Sequence, residues 1–147
     1  MDAADHRAQA VRLYNLSWEL LEQSDRTADD DVALLTAAFA SRHHWSLAGG
    51  AEQAIIADWM VARASGATNY GSLAVDFAMR ASIAANADDA PDWLLASTAE
   101  GVARAYAAAG DQPRREEWYG RASELVTAIV DPADRALIAE QLASVPR

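Results

Sequence analysis

Ala103-Arg104-Ala105-Tyr106-Ala107-Ala108-Ala109-Gly110-Asp111 reads as the last turns of one helix, its stop, and the cap of the next. Alanine is the strongest helix former because it surrenders no side-chain entropy, and a run of three here leaves no other local preference. Gly110 is the residue type that closes a helix by turning left-handed, and Asp111 is a type that accepts from the free N–H groups of a new first turn. Two helices joined by so short a turn must lie antiparallel and side by side. The small side chains on the first let its neighbour approach closely.

The same grammar extends along the chain. Val11, Tyr14, Trp18 and Leu21 recur at helical spacing, giving a first helix from about Ala3 to Gln23. Thr27 with Asp30 three residues later forms a shortened capping box for a second helix that stops at Gly49-Gly50. That helix carries no charge from Val32 to Ser41, which predicts cover on several sides. A third helix runs from about Ala51 to Ser65 with Gly66 as its stop, and a fourth from near Thr68 to Asn86. Asp88-Asp89-Ala90-Pro91 marks the clearest boundary, with proline preset for the opening of a fifth helix that ends at Gly110. Asp111 caps a sixth, to about Val130, and Asp131-Pro132 with Asp134 starts a seventh. No stretch sustains the alternation of a strand. The expected fold class is all-α: about seven antiparallel helices in one domain, 1–147, with hairpins at about 3–48, 51–86 and 91–130 and a capping helix at 132–145.

Gly66 and Gly110 lie 44 residues apart, and the same offset pairs Ala62 with Tyr106, Ala78 with Ala122, and Ala81 with Leu125. The segment Ala103–Asp111, with Tyr119 and Ala122 beyond it, resembles the tetratricopeptide repeat: a small residue, an aromatic three later, Gly-Asp four further on, then an aromatic and a small residue in the second helix. Arg115 stands where that motif has a small residue, its closing proline is absent, and the earlier copy has Trp59 at a small position. The stretch from His44 to Pro146 is also similar to a family of uncharacterised bacterial helical proteins, through His44-Trp45, Trp59 to Arg63, and Ala103 to Tyr106. That likeness implies the fold and no activity. The tetratricopeptide resemblance implies that the first helix of each hairpin lines a concave face. Matching motif positions then gives a ligand or peptide groove of Gln53, Ile56, Met60, Arg63, Ser97, Glu100 and Arg104.

Composition narrows what such a surface can do. The net charge of −10 opposes binding to nucleic acid or an anionic membrane, both of which need a basic footprint. All 12 basic residues are arginine, and cysteine is absent, so thiolate chemistry and disulfides are excluded. The N-terminus lacks the pattern of a signal peptide, and a cytoplasmic location is expected. His43 and His44 are neighbours on a helix, about 100° apart, and cannot chelate one ion together. His43 continues the face of Val32, Leu35 and Phe39 and is expected in the core, so no metal and no cofactor are expected. Of five tryptophans, Trp93 and Trp118 lie among charged residues near helix starts and are the rings expected at an interface, such as a homodimer contact. Glu100-Arg104, Asp76-Arg80 and Glu117-Arg121 have the spacing of helical ion pairs.

No nucleophile elbow or phosphate-binding glycine loop is present, and scattered carboxylates give no specific acid–base pair. The leading expectation is a non-enzymatic module that binds a protein segment or itself through the helical surface. The alternative is a small-ligand sensor or an enzyme with its site in a pocket between hairpins. An enclosed cavity lined by Trp59, Arg63, Glu100 and Arg104 favours the alternative. A shallow open groove favours the first reading, and a third is a purely structural subunit.

Overall fold

A computed structural model describes residues 1–147. Seven helices account for almost the whole chain: α1 (Ala3–Glu22), α2 (Ala28–Ala48), α3 (Ala51–Ala67), α4 (Gly71–Ala87), α5 (Asp92–Ala109), α6 (Gln112–Thr127) and α7 (Pro132–Ala143). No strand forms, and no helix is long and apolar enough to cross a membrane.

Local chemistry sets most boundaries. Thr27 and Asp30 close a reciprocal capping box on α2, and Asp131 accepts from the Asp134 N–H at the start of α7. Asp111 does the same for α6 with the Arg114 N–H. Asp2 and Asp5 form a further box on α1 that the apolar periodicity alone does not reveal. Gly110 closes α5 with φ of +75°, as its sequence context predicts.

Gly66 departs from the expected pattern. It lies inside α3, and the left-handed residue that closes this helix is Asn69, with φ of +69°. The Tyr70 N–H then donates to the Ser65 carbonyl, just as the Asp111 N–H donates to the Tyr106 carbonyl. Equivalent stops therefore stand 41 residues apart, from Asn69 to Gly110, and not at the offset of the two glycines. Gly66 serves packing: a Cβ there would meet the Ala108 Cβ at 3.4 Å.

Helices α1/α2, α3/α4 and α5/α6 form three antiparallel hairpins, stacked so that each second helix packs against the first helix of the next pair. The odd-numbered helices also touch in succession, α1 to α3, α3 to α5 and α5 to α7. The backbones of α2, α4 and α6 stay apart, and α2 meets α4 only through long side chains such as Phe39 edge-on to Phe77. Convergence on one side and divergence on the other makes the odd-numbered face the inner one.

The core follows from this geometry. Leu34, Ile55, Trp59, Met60, Val61 and Leu94 fill the space among α2, α3, α4 and α5, while Val126, Ile129, Ile138, Leu142 and Val145 join α6 and α7 to α5. Between them lie alanines, among them Ala62, Ala74, Ala78 and Ala105 at 4% exposure or less. Small buried side chains permit the close helix approach and oblige the few large ones to fill what remains.

Arg115, the departure from the repeat motif, is only 5% exposed. Its guanidinium donates to the carbonyls of Val145 and Pro146, so it anchors the C-terminal tail against α6. Asp58, 8% exposed, accepts from Arg42 Nε at 2.6 Å and draws Arg80 to 3.6 Å, tying α2, α3 and α4 together. Arg80 thus pairs across helices and not with Asp76, whereas Glu100–Arg104 and Glu117–Arg121 form as spaced.

α2 sits between α1 and α3, as its uncharged stretch predicts, but its outer face stays open and carries Val32 (62% exposed) and Phe39 (38%).

Two backbones come close at Gly71, the first residue of α4. A Cβ there would stand 2.7 Å from the Ala109 Cα and 2.9 Å from the Ala108 carbonyl oxygen, atoms that cannot rotate away. Gly71→Ala is therefore expected to part α4 from the end of α5 at a cost of about 1–3 kcal/mol. The urea midpoint reads this, and an unchanged midpoint contradicts the contact.

Candidate functional site

On α3, Trp59, Ala62, Arg63 and Gly66 share a face by their i, i+3, i+4, i+7 spacing, and on α5 Gly101, Arg104, Ala105 and Ala108 repeat it. Trp18, Leu21 and Glu22 supply the matching face of α1. These three faces, with Arg26 from the first turn and Pro146 from the tail, enclose a cavity of about 380 Å³. Small residues on α3 and α5 leave the room; tryptophans and arginines decide the chemistry.

Trp59 is held rigidly. It is 6% exposed, its Nε1 donates to the Ser97 carbonyl at 3.1 Å, and its ring lies against Gly101, where any Cβ would come within 2.9 Å of the indole. Trp18 packs beside it, ring centres 5.8 Å apart. The Arg63 guanidinium lies 5.3 Å from the Trp18 ring centre and 5.6 Å from that of Trp59.

Beneath the arginines lies Glu100, with no exposed surface. Its Oε1 accepts from Arg104 Nε at 2.7 Å, and Arg63 Nη1 stands 3.7 Å from the same oxygen. The three arginines differ in what they have left to give. Arg104 also donates to the Gln141 carbonyl and the Ser144 hydroxyl, fastening the end of α7. Arg26 donates to the carbonyls of Leu20, Leu21 and Gln23 at the end of α1, to that of Ala67 on α3, and to Asp31. Arg63 has no such engagement, and its buried Nη1 lacks a hydrogen-bond partner. Burial, foremost, and the neighbouring Arg104 charge hold Arg63 below the ordinary arginine value, with Glu100 and Tyr14 opposing.

Of the seven residues placed in a groove by repeat register, Arg63 and Arg104 line the cavity. Met60, at 1% exposure, is a core residue, because α3 is covered from both sides. Ser97 is buried and contributes its carbonyl to Trp59, and Glu100 supports the two arginines from below. Half-buried Gln53 caps α3 by accepting from the Gly50 N–H, and Ile56 packs against the core. Register missed Trp18, Arg26 and Pro146, which reach the cavity from segments outside the two matched copies. The Trp18, Leu21, Glu22 spacing on α1 was the available signal for the first.

Neither Trp93 nor Trp118 is an exposed ring. Each is half-buried and packs against two parts of the core, and Arg121 lies 4.7 Å over the Trp118 ring.

The histidines correct another expectation. His43 is exposed, since the face it continues with Val32 and Phe39 points to solvent. His44 instead meets His6 of α1, with Nδ1 atoms 2.8 Å apart. Such a contact needs one donor and one acceptor, so both rings cannot be protonated together. Partial desolvation, and then the charges of His6, His43 and Arg12, lower the His44 pKa from 6.5. A lowered value means that the folded state resists protonation: the penalty is absent above pH 6.5 and grows as pH falls below it. Unfolding free energy should therefore decline from pH 7 to 5.5, and His44→Phe should flatten that decline in urea titrations. An identical pH dependence in the variant contradicts the assignment.

Comparison with models of protein families, with curated proteins and with solved structures finds no match for this chain.

Proposed function

We propose that the chain is a non-catalytic binding module that takes a small ligand into the cavity among α1, α3 and α5. The single observation that carries this reading is a half-enclosed space with two indole walls and one arginine that has no hydrogen-bonding task in the protein. Its volume of about 380 Å³ lies in the range of small-molecule sites. The side chains that line it include no serine, threonine, histidine or cysteine, and its only carboxylate is Glu22 at the rim, so its chemistry is that of recognition. Binding of a protein segment in an open groove has less support, because Met60, Ser97 and Glu100 are not on the surface. A stacked register with convergent first helices supports placing the chain among tetratricopeptide-like proteins.

The test uses the exposed rim residue Ala67. Ala67→Trp sets a large ring across the opening from an exposed position, and circular dichroism checks that the fold, with its Arg26 tie to the Ala67 carbonyl, survives. Thermal-shift screening of small molecules should find compounds that stabilise the wild type and shift its tryptophan emission, and these should fail on the variant. Compounds that act equally on both proteins would remove the cavity as the site.

A further inference from the structure

We infer that the ligand bears a single carboxylate on an apolar body, the carboxylate pairing with Arg63 and the body lying along Trp18 and Trp59. This rests on the cavity being the binding site.

Charge comes first. Arg63 and Arg104 face one buried carboxylate, Glu100, which leaves the cluster one positive charge in excess. Arg26 is neutralised by Asp31 at 2.8 Å, and Glu22 is exposed to solvent at the rim, where water and salt screen it. A monoanion would bring the cluster to neutrality. A cation cannot use Glu100, which has no exposed surface and lies behind the two guanidinium groups.

Donor geometry chooses among anions. The N–H groups of a guanidinium lie in its plane, so stacking against indole faces consumes none of them. Arg63 Nη1 is buried toward Glu100, but the Nε–Nη2 edge of the same guanidinium makes no hydrogen bond in the protein, while Arg26 and Arg104 have committed their donors to backbone carbonyls and a hydroxyl. One free planar fork fits one carboxylate, whereas a phosphate would call for donors from several sides. The remaining wall is indole, alanine and glycine with Leu21 and Pro146, which rewards an apolar body and offers little to a polar one.

The experiment compares 3-phenylpropanoate and octanoate with their amides, and with inorganic phosphate, by titration calorimetry and tryptophan fluorescence on the full chain. Acids should bind saturably, and the matched amides should bind about tenfold more weakly or worse. Arg63→Lys keeps the charge but loses the fork, and should weaken acid binding by a similar factor while circular dichroism stays unchanged. Equal binding of acids and amides, blocked by Ala67→Trp, would overturn the carboxylate inference and leave the cavity as a binding site. Phosphate binding as tightly as the acids would overturn the single-fork argument. Binding by neither acids nor amides overturns the inference, and cavity binding also falls if no other ligand is sensitive to Ala67→Trp.

Discussion

Glu100→Ala is expected to lower the folding free energy by about 3–5 kcal/mol, the range seen when one partner of a buried ion pair is removed. Glu100 has no exposed surface and is the only carboxylate paired with Arg63 and Arg104. Without it, two largely buried guanidinium groups face each other uncompensated. Arg104 also loses the bond that aims it at the Gln141 carbonyl and the Ser144 hydroxyl, so the end of α7 loosens with the centre. Glu100→Gln keeps the shape and an acceptor for Arg104 and should cost less, about 1–3 kcal/mol. Adding Arg63→Met to Glu100→Ala should recover part of the loss, since one stranded charge goes with it. Urea unfolding measures all three. A wild-type midpoint for Glu100→Ala would show that Glu100 is not the counter-charge.

Trp59→Ala should cost about 3–5 kcal/mol, as removal of a large buried aromatic does. Its partner effect is more diagnostic. An exposed helical glycine changed to alanine normally gains about 1 kcal/mol. At Gly101, however, the new Cβ would sit 2.9 Å from Trp59 Cδ1, against a ring that its bond to the Ser97 carbonyl keeps from turning. Overpacking of this kind costs about 1–3 kcal/mol, so Gly101→Ala should destabilise the wild type on balance. In the Trp59→Ala background the obstruction is gone, and the same change should stabilise. A double-mutant cycle reads this reversal as the coupling of the two sites. Additive effects would mean that the indole does not lie across Gly101.

The parts of the fold that local chemistry decides were legible in the residues. Thr27 with Asp30, Asp111, and Asp131 with Asp134 each act within one turn, and each caps the helix expected of it. The all-α hairpin architecture followed from those caps and from alanine. What failed depended on which side of a helix meets another. The uncharged stretch of α2 read as covered on several sides; α1 and α3 do flank it, but the second helices diverge and leave the face with Val32 and Phe39 open. Gly66 read as a stop because glycine often is one, but Asn69 adopts the left-handed conformation and Gly66 makes room for α5.

The candidate site divides in the same way. Arg63 and Arg104 entered the reading through the 44-residue glycine offset, which pairs Met60 with Arg104; the true stops, Asn69 and Gly110, instead set Arg63 opposite Arg104 at 41 residues. Met60 shares that helix but points into the core, since α3 lies between hairpins. Arg26 carries no local sign of its role: it acts by reaching from the end of α1 to the Ala67 carbonyl of α3, across 41 residues. His6 offers no partner to His44 in sequence because it lies on another helix, yet the packing of α1 on α2 brings the two rings together.

Convergence of α1, α3 and α5 sets Arg63 over the adjacent Trp18 and Trp59 rings, with no hydrogen bond to the rest of the protein. Arginine side-chain Nε–H spectra of the ¹⁵N-labelled protein test this most directly, because Trp18 and Arg63 come together only if successive hairpins stack. The Arg63 Hε resonance should be shifted upfield by the two rings, move toward the ordinary position in Trp18→Leu, and be perturbed again on addition of octanoate. An Arg63 Hε at the shift of a solvated arginine, unmoved by Trp18→Leu, would contradict it.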